Sequence, residues 1–425
     1  MTPSPRELTI VQRRYLDCGR RNFSFGCNTE TPREWCPHGH YRHKRGEHFV
    51  LLWYTNDATN RNNAFESGVE SVANFDASKE WIILFPPDVP EVKKAAGDLV
   101  RYIGLLALKP PALVDASGQA PPETAPIIVL NNGGSGPQRN GFSWRAGPDR
   151  VEIYGESGRG LCNGIYSFLA CLGISWPAPG QEKLPLPEGA PGASEARRVF
   201  SLSNNGVHEP SRYEGEDPAA APWRRFVPAG KKMIKRALRK SEAFAAWAAR
   251  QRYDALIFPL AAFACGSTGR KLKELKKFAG EYGIALEAGG WDLSSLVPRG
   301  FFFFHRDFFR MEEGRREKAH HFCPTNPGTI RLIGKKGGKL FRAAREVRVF
   351  HLWPDKGAEA AWCSCPSCRA FTPAEQNRIA VNAAADVLAA LNPNASMTYF
   401  EKSGEWGSIP LRKNLFRVEK LPSEL

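Results

Sequence analysis

The 425-residue chain has no long apolar run, no apolar leader and too few acidic side chains to balance its basic ones. No stretch approaches the roughly eighteen consecutive apolar residues of a membrane span. That excludes a spanning helix. The opening MTPSPRELTIVQRRYLDCGRR carries neither an apolar core nor a small-residue cleavage site, so no secretory signal is read there and a cytoplasmic location is expected. Ten cysteines without a signal are expected to be reduced thiols or metal ligands, and not a disulfide framework. With 59 Lys and Arg against 44 Asp and Glu, the formal charge of +15 suits nucleic acid, an anionic surface or an acidic substrate without choosing among them. None of the standard finger spacings is present. Gly158 and Gly160 lack both the rest of a phosphate-loop fingerprint and a Lys-Ser/Thr pair. The basic runs Lys231 to Lys240, Arg270 to Lys277 and Lys335 to Lys339 read as solvated helix faces, because Leu272, Leu275 and Phe278 fall at helical spacing between the lysines. Neither nucleic acid nor a membrane is the expected partner.

What is present is ample core material: 42% hydrophobic and 11% aromatic residues, in a chain long enough for two or three domains. Residues 1–77 form a Cys/His-rich extension in which Cys18, Cys27, Cys36, His38, His40, His43 and His48 match no standard zinc ligand spacing. Residues 78–192 read as a small α/β domain. WIILF is a short buried strand, Asp88 and Glu91 are spaced as a capping box, and Val92, Ala95, Ala96, Leu99, Ile103 and Leu106 make one apolar stripe. PIIVL is the next strand, and GFSWRAGPDRVEIYGE is a hairpin turning at Gly147, Pro148 and Asp149. A helix follows with Leu161, Ile165, Phe168, Leu169 and Leu172 inside. Its internal glycines imply close packing on the sheet.

Residues 193–425 alternate strand and helix: RVFSLS, YDALIFPL, GIALEAGG, Val347 to Trp353, SMTYFE and a short LFRV. Such alternation argues for parallel βα units. Thr372 to Glu375 is a second capping box, opening a helix with the stripe Ile379, Ala383, Val387, Leu388 and Leu391.

The chain is organised around VRVFHLWPDKGAEAAWCSCPSCR, Val347 to Arg369. Its strand delivers His351, Trp353 and Asp355 to a C-terminal end, the face on which parallel barrels build active sites. Cys363, Cys365 and Cys368 follow at once, and Cys323 in HHFCPTNP supplies a fourth thiol for a structural zinc. The alternative is a set of unmetallated loop thiols.

The segment GESGRGLCNGIYSFLACLGISWPAPGQEKLP resembles the small domain that precedes the catalytic barrel in bacterial α-glucuronidases and β-N-acetylhexosaminidases. AGGWDLSSLVP, HFCPTNP, FHLWPDKGAEAAWCSCPSC and EQNRIAVNAAADVLAALNP resemble an uncharacterised bacterial glycosidase-like family. The resemblance covers roughly residues 80 to 410. It implies an α/β fold, a small α/β sandwich followed by a (β/α) barrel-like domain incomplete at its C-terminus, and a glycoside hydrolase acting on an acidic or amino sugar. Such chemistry needs two carboxyl groups about 5 to 9.5 Å apart. Asp355 and Glu401 are the expected catalytic pair, with His351, Trp353, Trp291, Asp292 and Glu287 expected to contact carbohydrate. A full barrel has about eight strand-helix units. The shortfall leaves three expectations open: a degenerate, non-catalytic carbohydrate-binding relative, a barrel completed by a second copy, or an open sheet.

Overall fold

The computed structural model describes residues 72–107, 110–116, 124–133, 140–185, 199–203, 208–209, 224–228, 230–355, 361–402, 404 and 407–419. The Cys/His-rich stretch from Cys18 to His48 lies outside the described residues. The elements of the first layer are β1 (Val72–Asp76), β2 (Ile82–Phe85), α1 (Pro90–Leu106), β3 (Ala112–Asp115), β4 (Ile127–Asn132), β5 (Phe142–Ala146), β6 (Arg150–Gly155), α2 (Gly158–Cys171), β7 (Val199–Ser203) and β8 (His208–Glu209). Six of these strands build a sheet in the order β3-β2-β4-β6-β5-β8, with β3, β2, β4 and β6 parallel and β5 and β8 joined by antiparallel pairing, while β1 and β7 form a separate two-stranded sheet. The whole expected stripe of α1 is buried, as is that of α2.

Both internal glycines of α2 work as close-approach points. A side chain at Gly160 would run into the carbonyl of Gly141, and one at Gly164 would meet Ile153 Cγ2 at 2.8 Å. The capping box expected at Asp88 and Glu91 is not formed. Helix α1 starts at Pro90 with Val89 in the cap position, and the Glu91 side chain lies against Gly158 at the start of α2. The edge strand β3 was hidden between prolines, which sheet edges tolerate.

The second layer holds β9 (Arg225–Phe226), α3 (Gly230–Arg239), α4 (Ser241–Arg250), β10 (Ala255–Phe258), α5 (Leu260–Ala264), α6 (Gly266–Gly280), β11 (Ala285–Gly290), β12 (Met311–Glu312), β13 (Arg315–Arg316), α7 (Pro327–Ala343), β14 (Val349–Leu352), α8 (Pro373–Leu391), β15 (Ser396–Phe400) and β16 (Leu415–Val418). Six strands pair in parallel and in chain order, β9-β10-β11-β14-β15-β16, as a curled half-barrel. RVFSLS is not its first strand. That segment is β7, which pairs antiparallel with β1, and β9 takes the first place. A short apolar run does not say which sheet it joins, and its partner β1 lay inside the stretch read as an extension.

Side-chain alternation divides the half-barrel. Leu256, Phe258, Phe350, Met397 and Tyr399 pack outward among the helices, while Ile257 and Trp353 cluster with Val227 on the other face, flanked by Trp291, Phe400 and Val418. Helix α8 opens with the expected capping box, but its deepest face is Ala380, Val381, Ala384, Ala385 and Leu388. Val387 instead lies against Gly334 and Gly338 of α7, whose missing side chains let the two helices approach. The lysines of α6 point to solvent, as the helical spacing required.

Candidate functional site

The inner face of the half-barrel carries a buried polar chain. Trp353 Nε1 donates to Thr398 Oγ1 at 3.0 Å, Thr398 Oγ1 lies 2.7 Å from His351 Nδ1, and His351 Nε2 lies 2.8 Å from Glu287 Oε2. Arg225 closes the chain, its Nε 2.7 Å from Glu287 Oε2. One tautomer satisfies every link: Thr398 donates its hydroxyl proton to Nδ1, and Nε2–H donates to the carboxylate. Burial pushes His351 below the ordinary imidazole value, against the pull of Glu287, so the ring is neutral and its contact with Glu287 is a hydrogen bond. Burial raises the Glu287 carboxyl, but Arg225 and His351 outweigh it and hold it at about 2. Glycine is required beside this chain. Gly289 has φ +114°, and a side chain there would strike the His351 carbonyl.

Beyond the strand ends, Asp292 follows β11 and Asp355 follows β14. Asp292 Oδ2 accepts the Leu260 N–H at 2.7 Å, which also ties β11 to the start of α5. Burial raises the Asp292 carboxyl, the Leu260 bond opposes this, and the charge of Asp355 adds to the rise. Asp355 accepts from Ser294 Oγ and from Arg299 Nη2, the latter at 3.2 Å. Two neighbouring carboxyls thus sit in unlike surroundings. Trp291 is partly exposed and packs edge-on against the buried Trp353, their centroids 5.3 Å apart.

Glu401 is committed elsewhere. Arg378 donates Nε to Oε1 at 2.9 Å and Nη2 to Oε2 at 2.7 Å, Tyr399 Oη donates at 3.0 Å and the Gly407 N–H at 3.1 Å. Burial pushes this carboxyl up, yet Arg378, Gly407 and Tyr399 hold it below the usual range. Four donors saturate its oxygens and fasten the β15–β16 connection to α8. Of the pair expected from the sequence, Glu401 is thus held by Arg378, Tyr399 and Gly407, while Asp355 lies close enough to Asp292 for its charge to act on it.

Cys323, Cys363, Cys365 and Cys368 converge, their sulfurs all within 4.8 Å of one another and all four residues buried. Cys323 Sγ lies 3.7 Å from Cys365 Sγ and 3.6 Å from Cys368 Sγ, well beyond disulfide bonding. These four are close enough to bind one metal ion. Polar groups already face the sulfurs: the Met311 N–H at 3.2 Å and Arg316 Nη1 at 3.7 Å donate to Cys363 Sγ, and Thr325 Oγ1 shares a hydrogen bond with Cys368 Sγ at 3.1 Å. Hydrogen bonds from Cys363 and Cys368 hold the Cys323 thiol far below the ordinary thiol range. Gln376 shapes the loop. Its Nε2 donates to the carbonyls of Cys363, Cys368 and Phe371, and its Oε1 accepts the Cys363 N–H. His321, beside Cys323, stacks on Trp362 at 4.4 Å and does not enter the cluster.

Sequence reasoning missed Arg225, Thr398, Arg299, Arg378 and Gln376. Only the last two carried a signal, as polar residues early in an otherwise apolar helix.

No family model and no curated protein matches the chain. Solved structures similar to it include an exo-β-N-acetylglucosaminidase of glycoside hydrolase family 20 from Vibrio harveyi, at 11% identity and TM-score 0.43, over 82% of this chain and 55% of that one. A family 20 β-N-acetylhexosaminidase from Streptomyces coelicolor matches at 11% identity and TM-score 0.44, over 83% and 67%. A Flavobacterium johnsoniae chitobiase matches at 13% and 0.47, over 82% and 52%. The chain thus spans about half to two thirds of these structures.

Proposed function

We propose that this chain is a glycoside-hydrolase-like carbohydrate protein in which Asp292 and Asp355 are the working carboxyl groups. The observation that carries the reading is their unlike environment at adjacent strand ends. Asp292 is pushed toward the protonated form, as a general acid requires, while Arg299 and Ser294 bind the Asp355 carboxylate, as a base or nucleophile requires. Trp291 offers a partly exposed ring for the apolar face of a sugar. The Glu287–His351–Thr398 chain lies beneath and holds the strand ends rigid. The net charge of +15 favours an acidic or amino sugar that carries negative groups nearby.

The cysteine cluster is proposed as a structural zinc site. A tetrahedron of thiolates with Zn–S near about 2.3 Å has edges of about 3.8 Å. The 3.6 and 3.7 Å sulfur separations fit that tetrahedron. The ion would join the segment before α7 to the loop before α8 and take no part in bond cleavage. About one zinc per chain is expected from elemental analysis of protein purified without chelator, and Cys365→Ser lowers it.

Turnover of aryl glycosides of glucuronic acid, glucose and N-acetylglucosamine is the deciding measurement. Asp292→Asn and Asp355→Asn each abolish turnover with folding intact if the pair is catalytic. A second reading, a non-catalytic sugar-binding relative, is favoured by the commitment of Glu401 to Arg378, Tyr399 and Gly407. In that case turnover is absent in the parent protein and sugar binding survives both substitutions. Brisk turnover untouched by both substitutions rules out this pair.

A further inference from the structure

The loop that brings Arg299 to Asp355 continues through four consecutive phenylalanines, Phe301 to Phe304, and one tight turn divides them. Phe301 and Phe302 pack inward, with Phe302 edge-on to the buried Phe309 at 5.2 Å. Phe303 and Phe304 are 71% and 86% exposed, whereas the next most exposed large apolar side chain among the described residues, Leu105, reaches 43%. This is a built turn and not a frayed end. The N–H groups of Phe304 and His305 donate to the Phe301 carbonyl at 3.1 and 2.7 Å, and Asn326 Nδ2 donates to the Asp307 carboxylate at 2.8 Å.

Cations lie over the rings. Lys318 Nζ is 4.8 Å from the Phe303 centroid, the Arg306 guanidinium 5.7 Å from that of Phe302, and Lys336 Nζ 6.0 Å from that of Phe301. Adjacent exposed apolar residues of this size mark a contact surface. Phenyl rings have no group to offer a sugar hydroxyl. Bare rings flanked by ammonium and guanidinium groups suit the boundary between acyl chains and phosphate headgroups, where rings enter the apolar layer and cations meet phosphates. The excess of positive charge over the whole chain draws it to such a surface. We infer that Phe303 and Phe304 dock this protein on an anionic lipid surface. The contact is peripheral, since no described helix is long and apolar enough to cross a membrane. It is independent of the carbohydrate site, and the proposal stands or falls separately from it.

Co-sedimentation of the full chain with vesicles of phosphatidylcholine, alone or mixed with phosphatidylserine, tests this. Binding is expected to the mixed vesicles and to weaken with salt. Phe303→Ser combined with Phe304→Ser, at positions too exposed to support the fold, lowers the affinity about tenfold or more. Lys318→Glu lowers it less. Absence of binding to the mixed vesicles overturns the proposal, as does binding that the double substitution leaves unchanged, which would be adsorption by net charge alone. Should the double substitution change only self-association in sedimentation velocity, the surface is a contact between copies and the lipid proposal fails.

Discussion

The two sheets solve the same packing problem with different chemistry. In the first layer, Val92, Ala96 and Leu99 of α1 and Leu161, Ile165 and Phe168 of α2 cover Ile83, Ile128, Val151 and Ile153 of the sheet, all fully buried and all apolar. In the half-barrel, the inner face holds Glu287, His351 and Thr398 at 1% exposure or less. Apolar packing tolerates small losses, because each neighbour gives up a little contact. A polar chain does not, because deleting one member strands the next in a medium that cannot solvate it.

The contrast is broken most severely at its charged end. Arg225→Met leaves Glu287 ionised and buried beside a neutral histidine, and a loss of about 3–5 kcal/mol is expected in urea unfolding. Gln376→Ala, which unties three carbonyls and one N–H of the cysteine loop, is expected to cost roughly 2–4 kcal/mol. Thr398→Val keeps shape but strands both Trp353 Nε1 and His351 Nδ1, for a loss of about 1–3 kcal/mol. Ile165→Val in the apolar layer sets the lower mark at about 0.5–1.5 kcal/mol. If Thr398→Val costs no more than Ile165→Val, the polar chain does not stiffen the half-barrel.

A pH series sharpens the same comparison without mutation. His351 titrates lower in the folded chain than its ordinary 6.5, so below that value the unfolded state binds more protons and stability falls as pH drops. Glu287, held at about 2 against an ordinary 4.5, contributes stability above 4.5 that is lost progressively from 4.5 toward 2. Asp292, raised on folding, works in the opposite sense, favouring the fold as pH falls toward its ordinary 3.8. Thermal midpoints measured from pH 7 downward are expected to decline, and His351→Gln removes the upper part of that decline.

The same division decides what was legible in the sequence. Apolar periodicity identified α1, α2 and α6, the β5–β6 hairpin and five strands of the half-barrel, because burial of apolar groups repeats with the backbone period. The four cysteines were legible from spacing plus one distant thiol. The half-barrel's polar partners Arg225 and Thr398 were not, since they meet their carboxylate or imidazole only across strands far apart in the chain. Glu401 shows the cost of that blindness. A carboxylate after a strand reads identically whether it faces a substrate or an arginine.

Arg159 in the first turn of α2 reaches across to the other layer, donating Nη2 to the Tyr253 carbonyl at 2.8 Å and Nη1 to the Tyr282 carbonyl at 3.3 Å. Arg250 returns the contact by forking onto Asp98 of α1, and Trp247 Nε1 and Gln251 Nε2 both donate to the Trp176 carbonyl. Each layer therefore supplies hydrogen-bonding partners that the other would have to replace with water if the two were cut apart. The consequence is one of modularity: although the chain can be written as two domains, neither is a portable cassette. The segment Glu70–Leu425 forms one compact unit and is expected to melt in a single calorimetric transition.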